Sequence, residues 1–182
     1  MSSVKKMVIT AMLVALGIVL PMVFHMIPHG LAGRALLPMH VPVLLAGLIV
    51  GPFLGFFAGL ITPLFSSMTT GMPAAGLSMY SMMIELSVYG AVSGLVMRYV
   101  HTRKIVLDLY ISLIAAMLVG RIVAGLAQAL LLFNGVYVIG LWVTSYFTTS
   151  LPGIILQILF VPTIVITLER GRLIPVRYPI AS

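Results

Sequence analysis

The chain alternates long apolar segments with short polar connections, a pattern typical of membrane-spanning helices. A helix needs about 20 apolar residues, each rising about 1.5 Å, to cross about 30 Å of hydrocarbon. Four segments reach that length: 7–27, 79–99, 106–133 and 146–168. A fifth apolar stretch, 41–65, contains Gly51-Pro52, which breaks helices because proline cannot continue the hydrogen-bond ladder. That stretch predicts either one kinked helix or two short helices that turn at Gly51-Pro52.

The positions of the basic residues favour two short helices. Lysine and arginine are enriched in cytoplasmic connections, so the N-terminus and the central basic loop should lie on the same side. An even number of crossings must therefore separate them, and only two helices within 41–65 provide it. We expect six spans, at 7–27, 41–51, 53–65, 79–99, 106–133 and 146–168, with both termini in the cytoplasm. Eight of the ten basic residues then lie on that side: Lys5, Lys6, Arg98, Arg103, Lys104, Arg170, Arg172 and Arg177.

Composition supports the same class. Of the 182 residues 62% are hydrophobic and 7% charged, whereas about 25% of a soluble domain is charged. We therefore expect an all-α integral membrane protein, a six-helix bundle forming one domain over 1–182. The net charge of +7 is explained by the residues that flank the spans, which argues against nucleic-acid binding. The chain has no cysteine, which excludes disulfides and thiolate metal sites.

Small residues recur at every fourth position in several spans. Helices in lipid associate through such faces, because small side chains let backbones approach closely. Ala11 and Ala15 form one pair, in the first span, which predicts either docking of a partner subunit or packing inside the bundle. The others predict internal packing: Gly51, Gly55 and Gly59; Gly90 and Gly94; Gly120 and Ala124.

Two ionisable side chains, Glu85 and Arg121, lie inside the predicted spans. A charge in hydrocarbon is expensive and typically has a functional role. The two residues predict an ion pair between neighbouring helices, a polar cavity open to the outside in which one of them meets a substrate, or both together. Asp108 and Glu169 lie beside basic residues at the predicted cytoplasmic boundary and are expected to form interfacial ion pairs.

Four further polar residues accompany this pair. Tyr89 is one turn beyond the glutamate, and Gln128 is seven residues beyond the arginine on the same helical face. Asn134 ends that helix and Gln157 lies inside the last span. The sequence has no HExxH motif and no GxxxxGK[ST] phosphate loop, so we expect neither an enzyme, a metal site nor a cofactor, and no ATP hydrolysis by this chain.

The connection 25–40 has an unusual composition for an outer loop. It contains His25, His29, Arg34 and His40 together with prolines and glycines. This composition favours a lid that folds over a cavity. A plain connector and a metal site made by the three histidines are the alternatives.

Several short motifs follow one another along nearly the whole chain. They are Met39-His40-Val41-Pro42-Val43-Leu44-Leu45-Ala46-Gly47, which leads into Gly51-Pro52, then Gly71-Met72-Pro73, Glu85-Leu86-x-x-Tyr89-Gly90, Gly120-Arg121-x-x-x-Gly125 and Pro152-Gly153-Ile154-Ile155-Leu156-Gln157. In this order they resemble the substrate-binding S components of energy-coupling factor (ECF) vitamin transporters.

The resemblance implies a role in vitamin uptake. S components bind a vitamin near the outer face and dock onto a membrane scaffold subunit, and two cytoplasmic ATPase subunits drive the complex. Docking would use the face that carries Ala11 and Ala15. The loop after the first span would cap the substrate, and the outer halves of the last three spans would line its pocket. The implied substrate-binding residues are Arg34, His40, Glu85, Tyr89, Arg121, Gln128, Asn134 and Gln157.

The substrate depends on which charge recognises it. A cation at Arg121 or Arg34 suits an anion such as pantothenate, through charge-assisted hydrogen bonds, and pantothenate is our first expectation. Recognition by Glu85 would instead suit pyridoxine or hydroxymethylpyrimidine. A proton-coupled secondary carrier that uses Glu85 is the alternative function, and an assembly protein without a ligand is a third.

Overall fold

The computed structural model describes residues 1–25, 36–129, 139–175 and 177–178. Within these ranges the regular structure is helical and no strand occurs. The helices are α1 (Ser3–His25), α2 (His40–Val50), α3 (Pro52–Thr70), α4 (Leu77–Tyr99), α5 (Ile105–Ala127), α6 (Ile139–Val143) and α7 (Leu151–Arg170). A five-residue π-helical turn, Thr144–Thr148, follows α6.

Five helices are long and apolar enough to cross a membrane: α1, α3, α4, α5 and α7. Helix α2 has only 11 residues, which corresponds to about 16 Å, roughly half the hydrocarbon thickness. The chain is therefore an integral membrane protein with several helical spans. Six crossings and cytoplasmic termini remain predictions.

The stretch 41–65 forms two helices rather than one kinked helix. Helix α2 ends at Val50, and Gly51 has a φ of 119°, a conformation that favours glycine. Helix α3 then begins at Pro52, because proline suits the first turn of a helix. The chain folds back there, since a Cβ on Gly55 would lie 2.7 Å from the Cα of Gly47. We call α2 and α3 together the hairpin.

Helix α2 occupies the centre of the bundle. It contacts α1, α3, α4, α5 and α7, and nearly all of its residues are buried. A helix that is apolar all round is expected to be surrounded by other helices. This central position carries His40, the first residue of α2, into the interior of the protein.

Glycines let the hairpin and α4 meet backbone to backbone. A Cβ on Gly90 would lie 2.0 Å from the carbonyl oxygen of Gly55, and one on Gly59 would lie 2.1 Å from that of Leu86. The prediction of internal packing is thus confirmed for these residues. Gly51 forms the turn of the hairpin, and its carbonyl carbon would lie 2.8 Å from a Cβ on Gly94.

Helix α1 lies at the rim of the bundle against α2 and α3. Its Gly17 packs closely on Thr62, where an added Cβ would meet a side-chain carbon at 2.7 Å. Ala11 and Ala15 are exposed instead, so this pair is not used for packing within the described part of the bundle. Docking of a partner is the alternative that remains.

Two helix ends lie five residues from the bounds of the predicted spans. Helix α3 continues past residue 65 to Thr70, where a left-handed Gly71 ends the helix. Helix α7 begins at Leu151 rather than at 146, with a proline in its first turn.

Basic residues from distant parts of the chain gather at one end of the bundle, which we call the basic end. Lys6, Arg98 and Arg177 line one cavity there together with the turn of the hairpin. Asp108 is fully buried beside them and pairs with Arg177 at 2.8 Å between Oδ2 and Nε, as an interfacial ion pair predicts. Glu169 instead accepts a hydrogen bond from the backbone N–H of Arg177.

Candidate functional site

Four buried polar residues from three helices form one contiguous group, which we call the polar cluster: His40, Glu85, Tyr89 and Arg121. His40 begins α2, Glu85 and Tyr89 lie on one face of α4, and Arg121 lies on α5. The cluster occupies the half of the bundle away from the basic end. None of the four is more than 6% exposed.

Short contacts connect the cluster from helix to helix. The Nε2 of His40 lies 3.7 Å from Oε1 of Glu85, which is longer than a hydrogen bond. The rings of His40 and Tyr89 pack edge to face with centroids 5.4 Å apart. The Nε of Arg121 donates a hydrogen bond of 3.0 Å to the Tyr89 hydroxyl. Glu85 lies one turn earlier on α4, close enough for its charge to act on the Tyr89 hydroxyl.

The direct ion pair between Glu85 and Arg121 is not formed. In the described part of the chain Glu85 approaches His40 instead, and Arg121 reaches the Tyr89 hydroxyl. Gly120 provides the reason, since a Cβ there would lie 2.1 Å from the Tyr89 ring. This close approach sets the level of α5 against α4, so that Arg121 faces Tyr89 rather than the preceding turn.

Several buried nitrogens of the cluster have no hydrogen-bond partner among the described residues. They are both ring nitrogens of His40 and the Nη2 of Arg121. Buried polar groups are nearly always hydrogen-bonded, and each one left without a partner costs about 1–3 kcal/mol. The cluster therefore offers donors for a polar ligand.

Gln157 adds an amide from α7, the helix that packs on α2 and α5. It is fully buried, and neither its Oε1 nor its Nε2 has a hydrogen-bond partner within the described ranges. An amide presents both a donor and an acceptor. The structure thus buries Gln157, and it places this residue on a helix next to those of the cluster.

An aromatic ring covers Arg121, and a second ring packs on the first. Its guanidinium carbon lies 5.4 Å from the centroid of the Phe147 ring, within range of a cation–π interaction. Trp142 packs edge to face on Phe147, with centroids 5.5 Å apart. Gly125, one turn beyond Arg121, packs against the Trp142 indole. The sequence analysis did not single out Phe147, because the sequence of 139–150 has no periodic signal.

A further polar contact continues along the interface between α4 and α5. Gln128 donates a hydrogen bond from Nε2 to the Ser81 hydroxyl. Ser81 lies one turn before Glu85, and Gln128 lies two turns beyond Arg121, so the contact extends the polar lining away from the basic end. Gln128 was expected from the sequence. Ser81 was missed because a serine within a span is common.

Comparison with known protein families identifies the family of this chain. The family model described as "ECF transporter, substrate-specific component" matches residues 5–165. The chain belongs to this family. The resemblance in the sequence motifs is thereby confirmed, and such S components are the substrate-binding subunits of transporters. No curated protein matches the chain, and no solved structure matches it.

Some expected site residues of this S component lie outside the described residues. These are Arg34, His29 and Asn134, together with the side chain of His25. The lid interpretation of the connection 25–40 and its metal-site alternative therefore remain predictions. The described end of that connection is His40, which belongs to the polar cluster.

Proposed function

We propose that this S component binds a B vitamin or related small molecule at the polar cluster and delivers it to an ATP-driven ECF importer in a prokaryotic cell membrane. The observation that carries the proposal is the set of buried nitrogens on His40 and Arg121 that lack partners among the described residues. A purely structural cluster would be expected to satisfy these groups.

The electrostatics of the cluster favour an anionic substrate, with pantothenate first. In the described chain Arg121 contacts a neutral hydroxyl and an aromatic ring, so its charge meets no carboxylate directly. A substrate carboxylate would supply the missing acceptor through charge-assisted hydrogen bonds. Pyridoxine and hydroxymethylpyrimidine come next, because Glu85 could accept from their polar hydrogens.

The partners follow from the family and from the surface of α1. We propose a membrane scaffold subunit and two cytoplasmic ATPase subunits, with the basic end of the bundle in the cytoplasm. Ala11 and Ala15 are exposed on α1 among larger apolar side chains such as Met7 and Met12, which are 64% and 67% exposed. A shallow, apolar face of this kind permits close approach of a partner helix.

The buried pair of His40 and Glu85 keeps one other function open. Two titratable groups in contact inside the bundle are what a proton-coupled carrier requires. Such a carrier would accumulate its substrate without ATPase subunits. Uptake in reconstituted vesicles, with and without the scaffold and ATPases, distinguishes the two functions.

Binding can be tested with the single tryptophan of the chain, Trp142, which reaches Arg121 through Phe147. Purified protein is titrated with pantothenate, pyridoxine and hydroxymethylpyrimidine while its fluorescence is followed. We expect a saturable change with one of them. Arg121→Gln should weaken pantothenate binding by about 10- to 100-fold, the range of a hydrogen bond to a charged group.

The control for this titration is Lys104→Gln, which also removes one cation but lies exposed at the other end of the bundle. It should bind as the unmodified protein does. Glu85→Gln should weaken the binding of pyridoxine more than that of pantothenate. If no vitamin changes the fluorescence and calorimetry also detects no binding, or if Arg121→Gln and Lys104→Gln bind pantothenate equally, the proposed pantothenate site is wrong.

A further inference from the structure

The basic end contains a cavity of about 500 Å³ that the proposed vitamin site does not use. It opens between the turn of the hairpin, the last turns of α4 and the residues that follow α7 (171–175 and 177–178), which we call the C-terminal segment. Arg98, on its wall, is 13 residues beyond Glu85 on α4, about 20 Å along the helix. The cavity is therefore separate from the polar cluster.

Positive charge dominates this cavity. Lys6, Arg98 and Arg177 line it, and its described lining contains no carboxylate. Arg177 has an ionic partner, Asp108, whereas neither Lys6 nor Arg98 takes part in an ion pair with another described residue. Three cations around one concave space, with one of them neutralised, produce a local potential that attracts an anion.

The backbone adds donors to the same space. Helix α3 begins at Pro52, on the wall of the cavity, and no side chain caps its first turn. Phe53 and Leu54, the next two residues, also line the cavity. The first N–H groups of a helix have no partner within the helix and carry a partial positive charge, so they complement an anionic oxygen.

An apolar aromatic surface adjoins the cations. Phe53 lines the cavity and is nevertheless 73% exposed. Its ring packs edge to face on Phe57, which packs in the same way on Phe56. A soluble anion would not cover this apolar surface. A ligand that carries acyl chains beside its phosphate would cover it.

We propose that the cavity at the basic end binds the phosphate head group of an anionic phospholipid, with its acyl chains along Phe53, Phe56 and Phe57. Lys6 and Arg98 hold the phosphate beside Arg177, which is already paired with Asp108, and the N-terminus of α3 donates to it. Basic pockets between membrane helices on the cytoplasmic side are suited to such head groups. The lipid would then join the turn of the hairpin to α1, α4 and the C-terminal segment.

The test compares two double variants that each remove two cations at the same end. Lys6→Gln/Arg98→Gln changes the cavity, and Arg103→Gln/Lys104→Gln changes exposed residues outside it. Detergent-purified protein is titrated with phosphatidylglycerol, and bound lipid is counted by native mass spectrometry. We expect one retained lipid, held about 30-fold more weakly in the cavity variant, at about fivefold for each cation. The control should change by less than about twofold.

Further arms identify the anion and guard against unfolding. Phosphatidylcholine should be retained far less than phosphatidylglycerol. Phe53→Ser, at an exposed position, should weaken lipid binding and leave the binding of inorganic phosphate unaffected. Equal losses in the two double variants would mean simple surface attraction and overturn the proposal. Inorganic phosphate that binds as tightly as the lipid would also overturn it, in favour of a soluble anion.

Discussion

Tyr89 connects the two charges that the sequence places inside the membrane. It is fully buried, accepts a hydrogen bond from Arg121, and contacts the ring of His40 on a third helix. Arg121 therefore has a neutral partner, and the carboxylate of Glu85 approaches a different residue, His40. This division leaves Arg121 able to meet a substrate anion without first breaking an ion pair.

Removing the Tyr89 hydroxyl should destabilise the protein. In Tyr89→Phe the ring remains, but the Nε of Arg121 loses its acceptor inside the bundle, which typically costs about 1–3 kcal/mol. Unfolding followed in detergent should show a lower midpoint. Tyr99→Phe is the control, because Tyr99 is 72% exposed, and it should leave the midpoint unchanged. Equal midpoints for both variants would contradict the role assigned to the hydroxyl.

Gly120 sets the position of Tyr89, which gives a second prediction. In Gly120→Ala the new Cβ would lie 2.1 Å from the Tyr89 ring, so the ring must move away from Arg121. We expect a loss of stability of about 1–3 kcal/mol, as for other overpacked sites, together with weaker vitamin binding. Gly171→Ala, where the nearest atom is at 3.4 Å, should change neither property. Vitamin titration and thermal unfolding of both variants provide the check.

At the scale of elements, the hairpin, α1 and the C-terminal segment occupy different positions and make different contacts. The hairpin fills the centre and presents His40 to α4. Helix α1 covers only one side of it and leaves most of its apolar surface exposed. The C-terminal segment returns to the basic end, where Tyr178 and Arg177 donate to Asp108.

Bulk added to the exposed small-residue pair of α1 should prevent docking. Ala11→Leu/Ala15→Leu fills the shallow face without disturbing the fold, because both positions are exposed. We expect the variant to bind its vitamin normally and to lose copurification with the scaffold subunit by about tenfold or more, since close helix approach requires small residues. Ala74→Leu/Ala75→Leu, at exposed positions between α3 and α4, is the control. Normal copurification of the α1 variant would place the docking face elsewhere.

The Asp108 site should be important for the stability of the basic end. Asp108 accepts hydrogen bonds from Thr102, Arg177 and Tyr178. In Asp108→Asn the amide cannot accept all of these, and Arg177 loses its ionic partner, so we expect destabilisation of about 2–3 kcal/mol.

Glu169→Gln is the matched control for Asp108→Asn. Its amide oxygen can still accept the backbone N–H of Arg177, so its unfolding midpoint should stay close to that of the unmodified protein. Midpoints for both variants can be measured in the same detergent. A similar decrease in both would mean that the buried carboxylate has no special role.

At the scale of the whole molecule, the two ends of the bundle differ in chemistry. One half contains the polar cluster, with buried groups available to a ligand. The other end contains the cations, the turn of the hairpin and the cavity for the proposed lipid. The proposed sites for the vitamin, the scaffold subunit and the lipid thus lie on different surfaces, so each can be changed by variants that spare the others.

The sequence by itself determined the class of protein, the break at Gly51-Pro52, the family and the identity of all four polar cluster residues. These depend on local properties: the length of apolar runs, the permissive backbone of glycine, the restricted backbone of proline, and the rarity of ionisable residues inside spans. Only the tertiary structure decided that Glu85 meets His40, that Arg121 meets Tyr89 under Phe147, and that Ala11 and Ala15 face outward. Helical periodicity gives the face of a residue, but the level and rotation of one helix against another depend on close packing, such as that of Gly120 on Tyr89.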